Sequence, residues 1–470
     1  MKSALRALLG LLLLAAPQAG QAQFYYSENP NVGFTNNTIT LTITGYYGPD
    51  GAVSIPTTIG GWAVTGIGED AFYECIGVTN ITIPASVTSI GASAFSDSGL
   101  TSVTIPGNVT NIGPEAFADC ASLTNAILDN GVTSIGASAF SNCPLLVVTI
   151  PASVISIGPF AFSTCESITN VTISNGVISI GDDAFYYCTG LPSVTIPPSV
   201  TTIGEGAFNF CVRLTAITVD AQNSFYSSVD GVLFDKNVTT LVEAPSTLGG
   251  SYTIPLGVAS IGNYAFSFCD NLTNVTIPNG VTSIGADAFY LCNSMTSVAI
   301  PASVTRIGAY AFYNCGGLTS VTFPGNVTSI GEDAFFACIK LTSVYFGGDP
   351  PAADSTVFIG DNSPGPGVTV YYLPGTTGWG STFAGQPTAL WRLPSPVILN
   401  NGPNFGVQNN TFGFTISWAT NTSFVVEASA NLAGPVWTPL QTNTLTNGSF
   451  YFSEPLQTNS SGRFYRIRSP

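Results

Sequence analysis

The heptapeptide SIGASAF occurs at Ser89–Phe95 and again, unchanged, at Ser134–Phe140. Relaxed to I-G-x-x-A-F, it recurs eleven times, with its phenylalanine at Phe72, Phe95, Phe117, Phe140, Phe162, Phe185, Phe208, Phe266, Phe289, Phe312 and Phe335. Successive anchors lie 22 or 23 residues apart, except for one interval of 58 between Phe208 and Phe266. A fixed period of this size marks a stack of like units. A single unit cannot bury its own apolar face, whereas stacked neighbours share a continuous core.

One unit, VTSIGADAFYLCNSMTSVAIPAS at residues 281–303, shows how a coil is built. Val281, Ile284, Ala288, Phe289, Cys292, Met295, Val298 and Ile300 supply its apolar positions. Ser297–Ile300 reads as a short strand ended by Pro301, which has no N–H to give to a ladder. The stretch 285–291 is too short for an α-helix and predicts a turn or a single 3₁₀ turn. Gly285 predicts either a backbone angle or a close approach that a Cβ would forbid. Stacking at about 4.8 Å would align equivalent residues as ladders, so eleven coils would extend on the order of 50 Å.

Acidic residues gather just before Ala-Phe, at Glu69-Asp70, Glu115, Asp182-Asp183, Asp287 and Glu332-Asp333. At the start of a helical turn they would accept backbone N–H groups. The alternative is an acidic stripe for cations or a basic partner, which Ala92-Ser93 and Ala137-Ser138 interrupt.

All ten cysteines lie three residues after an anchor phenylalanine: Cys75, Cys120, Cys143, Cys165, Cys188, Cys211, Cys269, Cys292, Cys315 and Cys338. Ser98 fills the slot in the remaining coil. Parallel side chains in a stack keep their Cβ atoms farther apart than the ~3.8 Å a disulfide prefers. A ladder of free, buried thiols is therefore expected, and no metal, since there is no histidine and no CxxC pair.

Residues 100–120, LTSVTIPGNVTNIGPEAFADC, carry the full unit. It resembles the leucine-rich repeat of BspA-like bacterial surface proteins, over roughly residues 60–346. The resemblance implies a right-handed solenoid with a parallel sheet on one face, used in adhesion or protein binding. Within the long interval, residues 219–254 hold Ser228-Val229-Asp230-Gly231-Val232-Leu233-Phe234, a strand, an Asp-Gly turn and a second strand. This resembles a hairpin insertion of that family. It is either a structural insert or a binding loop, and Phe225, Tyr226, Phe234 and Lys236 are its candidate ligand-binding residues.

The 470 residues are 45% hydrophobic and only 8% charged, well below the roughly 25% of ordinary soluble domains. Lys2 and Arg6 precede an apolar run over residues 8–16 and the small residues at 19–22, which reads as a signal peptide over 1–22. Its removal leaves eight basic residues against 26 acidic ones. That balance argues against nucleic acid and anionic lipid as partners. No transmembrane segment is expected after cleavage.

A chain without histidine has no Ser-His-Asp or Cys-His machinery. No G-x-x-x-x-G-K phosphate cradle is present. The adjacent carboxylates Glu69-Asp70, Asp182-Asp183 and Glu332-Asp333 recur with the repeat, so a scaffold role accounts for them better than glycoside hydrolysis. The expectation is a non-enzyme without cofactor.

The predicted fold is a repeat β-rich solenoid of short parallel strands with turns or 3₁₀ segments, followed by a small C-terminal all-β domain. Its parts are an N-terminal cap over 23–66, the solenoid over 67–346, a C-terminal cap over 347–393 and a β-sandwich-like domain over 394–470. Trp379 and Trp391 are expected to cover the apolar edge of the last coil, with a binding role as the lesser alternative. The final domain resembles the C-terminal β-domains of exported proteins of Verrucomicrobia-like bacteria. Its Arg463, Arg466 and Arg468 read either as charges protecting an edge strand or as part of a sorting signal. The function expected is that of a secreted or cell-surface scaffold binding an extracellular protein or polysaccharide. The alternative is a surface-layer or spacer protein that self-associates.

Overall fold

A computed structural model describes residues 24–29, 39–358, 367–391, 397–399, 405–408, 411–417, 422–431, 435–445, 449–456 and 462–468. The segment 1–22, expected from the sequence to be a signal peptide, lies outside them. The chain divides into two compact units, Met1–Leu248 with Gly262–Cys269, and Gly249–Ile261 with Asp270–Pro470. The fold is a β-solenoid, and no helix long and apolar enough to cross a membrane occurs among the described residues.

Each regular coil contributes two strands. A two-residue strand such as Ser134–Ile135 pairs in parallel with Asn111–Ile112 on one side and Ser156–Ile157 on the other. A four-residue strand such as Val147–Ile150 pairs in register with Asn170–Ile173. Because side chains alternate across a strand, Val148 and Ile150 point into the core and Val147 and Thr149 point out. The anchor phenylalanines form a buried ladder. In the first unit, ring centroids from Phe72 to Phe208 are 4.9 to 5.5 Å apart with the rings within 17° of parallel. In the second unit, Phe289, Phe312 and Phe335 repeat this at 5.0 and 4.9 Å.

The third side of the coil carries A-F, and here the turn expectation is the one realised. Around Phe117, the N–H groups of Glu115, Phe117 and Asp119 donate across to Ala137, Ala139 and Ser141 of the next coil, at 2.8, 2.8 and 2.9 Å. Between them, Ala116 and Ala118 donate back to Gly113 and Glu115 within the turn. The turn places left-handed backbone at two residues four apart: Glu115 has φ 56° and Asp119 φ 58°. The same two positions are left-handed in every anchored coil, and only Gly206 among them is glycine. Such residues cost roughly 1–2 kcal/mol each, offset here by inter-coil hydrogen bonds. The acids before Ala-Phe are therefore not helix caps. Asp70, Glu115, Asp183, Asp287 and Asp333 occupy the first left-handed position, which Asp and Asn tolerate better than most residues.

The glycine after isoleucine serves close approach, not an unusual angle. A Cβ on Gly113, Gly136 or Gly181 would lie 2.5 to 2.6 Å from backbone atoms of the preceding coil. The cysteines carry free thiols. Their Sγ atoms do more than fill space: Cys143, Cys165 and Cys188 donate to the carbonyls of Phe117, Phe140 and Phe162 at 3.0, 3.1 and 3.2 Å. Burial pushes the Cys165 and Cys338 thiols up to about 12, so the thiolate is scarce at neutral pH. Cys75, in the first anchored coil, is only half-buried.

The long interval is a three-stranded meander. Tyr226–Val229 and Val232–Asp235 form an antiparallel hairpin through Asp230-Gly231, both left-handed as a two-residue turn demands. Val232–Asp235 then pairs with Thr240–Glu243. This segment supplies what the next regular coil would have supplied. Where Phe117 donates to a backbone carbonyl, Phe208 donates to Glu243 Oε1 at 3.0 Å. Asn223, also buried, donates to the carbonyls of Pro197 and Val200 and accepts from the N–H groups of Phe225 and Tyr226.

Both ends of the repeat are closed. Phe24–Asn29 runs antiparallel to Thr40–Tyr46 and covers the edge of the first parallel sheet, while Tyr46 and Phe24 pack on Phe72. At the other end the strands outlast the A-F motif: Thr369–Tyr372 and Gln386–Leu390 add parallel rungs beyond Ser343–Phe346. Phe358 stacks on Phe335, and Trp379 packs against Phe346, Tyr372 and Phe383.

The C-terminal strands are antiparallel and form two sheets, one built on Thr411–Ser417 and one on Thr422–Ser429. Phe414, Ile416, Phe424, Val426 and Phe452 make their core. Arg466 and Arg468, on the edge strand Phe464–Arg468, both donate to the buried Glu427, and Arg463 pairs with Glu454.

Candidate functional site: an aromatic groove at the end of a sheet

The outward positions of the four-residue strands form columns of short side chains. Thr149, Thr172, Thr195 and Thr218 occupy one such column, and Thr195 and Thr218 share a hydrogen bond at 2.8 Å. In the second unit the column runs in register through Thr322, Tyr345, Tyr371 and Ala389. The threonine has become tyrosine twice, then alanine. Tyr345 and Tyr371 stack with centroids 5.0 Å apart and rings 17° from parallel. Trp391, held by its N–H donating to the Tyr372 carbonyl at 2.7 Å, brings its ring 5.0 Å from Tyr345 at 43°.

These rings, with Ala389 and the exposed Leu390, line a groove of about 540 Å³. Its size falls in the roughly 300–1,000 Å³ range of small-molecule sites. None of the five lining residues is charged. Phenol hydroxyls and an indole N–H provide its polar side-chain groups, and the small Ala389 beside Tyr371 leaves the space. Trp391 was expected to cover the last coil beside Trp379; only Trp379 packs in that way, and Trp391 faces outward onto Tyr345. The signal available in the sequence was the change from S-V-T-I to Ser343-Val344-Tyr345-Phe346 and then to Thr369-Val370-Tyr371-Tyr372.

The candidate residues of the insert do not form a site. Phe234 is fully buried, so it belongs to the core and presents nothing to a ligand. Tyr226 Oη accepts the Ile203 N–H at 2.9 Å, and Lys236 Nζ donates to the Asn223 carbonyl. Both tie the meander to its own unit. Phe225 and Lys236 are the exposed members of the four, and Tyr226 is half-buried.

The adjacent carboxylates serve structure too. Asp182 accepts the Glu205 N–H of the next coil. Asp183 is raised to about 6, chiefly by burial and then by the nearby Asp182 and Glu205. Glu243 is raised to about 8 by burial, against the opposing Phe208 N–H, and its Oε2 has no hydrogen-bond partner among the described residues. Among the described residues, no group of three His, Cys, Asp or Glu side chains is placed to hold a metal ion.

A model of the BspA type leucine rich repeat region, in six copies, matches residues 53–168, 155–244 and 249–363. A leucine rich cell surface protein from Faecalibacterium prausnitzii is similar at 30% identity, over 71% of this chain and 96% of that one, with a TM-score of 0.56. The pneumococcal vaccine antigen PcpA shares the fold at 22% identity, over 76% of this chain and 95% of that one, with a TM-score of 0.57. No curated protein sequence matches the chain.

Proposed function

From the premise that this chain belongs to the BspA-type leucine-rich repeat family, we propose that it is an exported, non-catalytic scaffold that binds an extracellular protein or polysaccharide. Export is supported by the basic-then-apolar leader over 1–22 and by the description of the Faecalibacterium protein as a cell surface protein. The observation that carries a binding role is the break in the threonine column at Tyr345, Tyr371 and Trp391. Coil geometry accounts for the buried ladders, the glycines, the cysteines and the left-handed turns. It does not call for three aromatic rings around a groove on the outward side. A net charge of −16 points the reading away from anionic partners.

The test is a binding screen of the protein lacking residues 1–22 against immobilised extracellular-matrix proteins and polysaccharides. It is paired with sedimentation over a concentration series. Saturable binding with a constant monomer mass supports the scaffold. Binding to nothing, with mass rising with concentration, selects the self-associating surface-layer alternative.

A further inference from the structure

We propose that the groove formed by Tyr345, Tyr371, Ala389, Leu390 and Trp391 binds a neutral oligosaccharide, with one sugar ring seated against the aromatic side chains. This rests on the binding-scaffold reading and narrows it to a ligand class and a place.

Four observations select the class. First, the groove is small. A protein partner of ordinary size covers roughly 800 Å² on each side, whereas about 540 Å³ suits one or two rings of a small ligand. Second, no charged side chain lines it among the described residues, and the chain's net −16 repels a phosphate, sulfate or uronate group. Third, its lining is mixed. The Tyr345 ring lies 5.0 Å from that of Tyr371 and 5.0 Å from that of Trp391, and the three residues offer aromatic surface beside two phenol hydroxyls and an indole N–H. A pyranose has the matching surface: weakly positive C–H groups on one face and hydroxyls around its rim. A purely apolar ligand would bury the phenol hydroxyls without partners, at a cost. Fourth, the groove is pre-formed. Tyr345 and Tyr371 stand on adjacent hydrogen-bonded strands and Trp391 is held through its backbone, so little ordering is left to oppose binding.

The column continues the inference. Thr322 stands beside Tyr345 in the next rung, with its side chain outward. A glycan longer than one ring can run along this column and exchange hydrogen bonds with its hydroxyls.

The experiment uses the protein lacking residues 1–22 and a panel of neutral hexasaccharides: cello-, laminari-, malto-, manno- and xylohexaose. Binding is read by calorimetry and by tryptophan fluorescence. At least one member should bind, with quenching of fluorescence. Trp391→Ala should weaken that binding by roughly tenfold or more, the amount one aromatic contact is worth. Ala389→Leu, which fills the groove while keeping all three rings, should weaken it comparably. Both variants should keep the wild-type thermal transition, which excludes misfolding as the cause. Binding that is unchanged in both variants overturns the proposal. So does failure of every hexasaccharide to bind at millimolar concentration. If the array screen still finds a saturable protein ligand in that case, the scaffold reading stands and only the groove assignment falls. If neither screen finds a ligand, both fall.

Discussion

The Phe117 coil and the Phe208 coil solve the same problem by different means. Phe117 donates its N–H to the Ala139 carbonyl of the following coil. Phe208 has a meander after it instead of a coil, and donates to the Glu243 carboxyl. The first arrangement is pure backbone and carries no charge. The second places a titratable group, with one oxygen unpartnered among the described residues, in the core. Interrupting a repeat therefore costs more than the inserted residues: the ladder's missing acceptor has to come from a side chain.

This contrast can be broken in order of expected effect. Gly136→Val in a regular coil should be the most severe, because its Cβ would sit 2.6 Å from the backbone of the preceding coil and neither side can move. A loss above about 4 kcal/mol is expected, seen as the disappearance of the cooperative transition in circular dichroism. Phe234→Ala in the meander should cost about 3–5 kcal/mol in denaturant unfolding, since the side chain is fully buried. A near-neutral result would restore it as a surface residue.

Glu243→Gln probes the substituted acceptor through pH. The native pKa of about 8 lies above the ordinary 4.5, so the folded state holds the proton more tightly than the unfolded one. The stability this contributes is complete below about pH 4.5 and is lost as pH rises toward about 8. Gln keeps the acceptor for Phe208 without the titration. The variant's stability should be flatter across that window, differing from wild type by a change on the order of a few kcal/mol between its ends. Parallel pH curves for the two proteins would show that Glu243 is ionised and solvated. Cys188→Ala, which removes the bond to the Phe162 carbonyl and a little volume, should cost about 1–2 kcal/mol. Phe225→Ala should change stability by less than about 0.5 kcal/mol, because the ring is exposed.

The repeat was legible because its information is local and restated in every coil. Spacing alone assigns Ile284, Ala288 and Phe289 to the interior, and each is buried. The Asp230-Gly231 hairpin was legible for the same reason, since turn chemistry acts over two residues. The groove was less so. Tyr345, Tyr371, Ala389 and Trp391 are spread over 47 positions, and nothing along the chain says that they meet. Their nearness follows from parallel register, in which residues 26 and 18 apart become neighbours.

The sequence by itself determined the period, the ladder residues, the strand ends and the place where the pattern lapses. These depend on side-chain size and polarity, which every coil repeats. The tertiary structure decided what each exception means. It showed that Gly136 is needed for contact rather than for φ, that the thiols donate to phenylalanine carbonyls, and that the acids sit in left-handed turns. It also buried Phe234 and turned Trp391 outward. Those outcomes depend on what the neighbouring coil places opposite each residue, and stacking alone brings the two together.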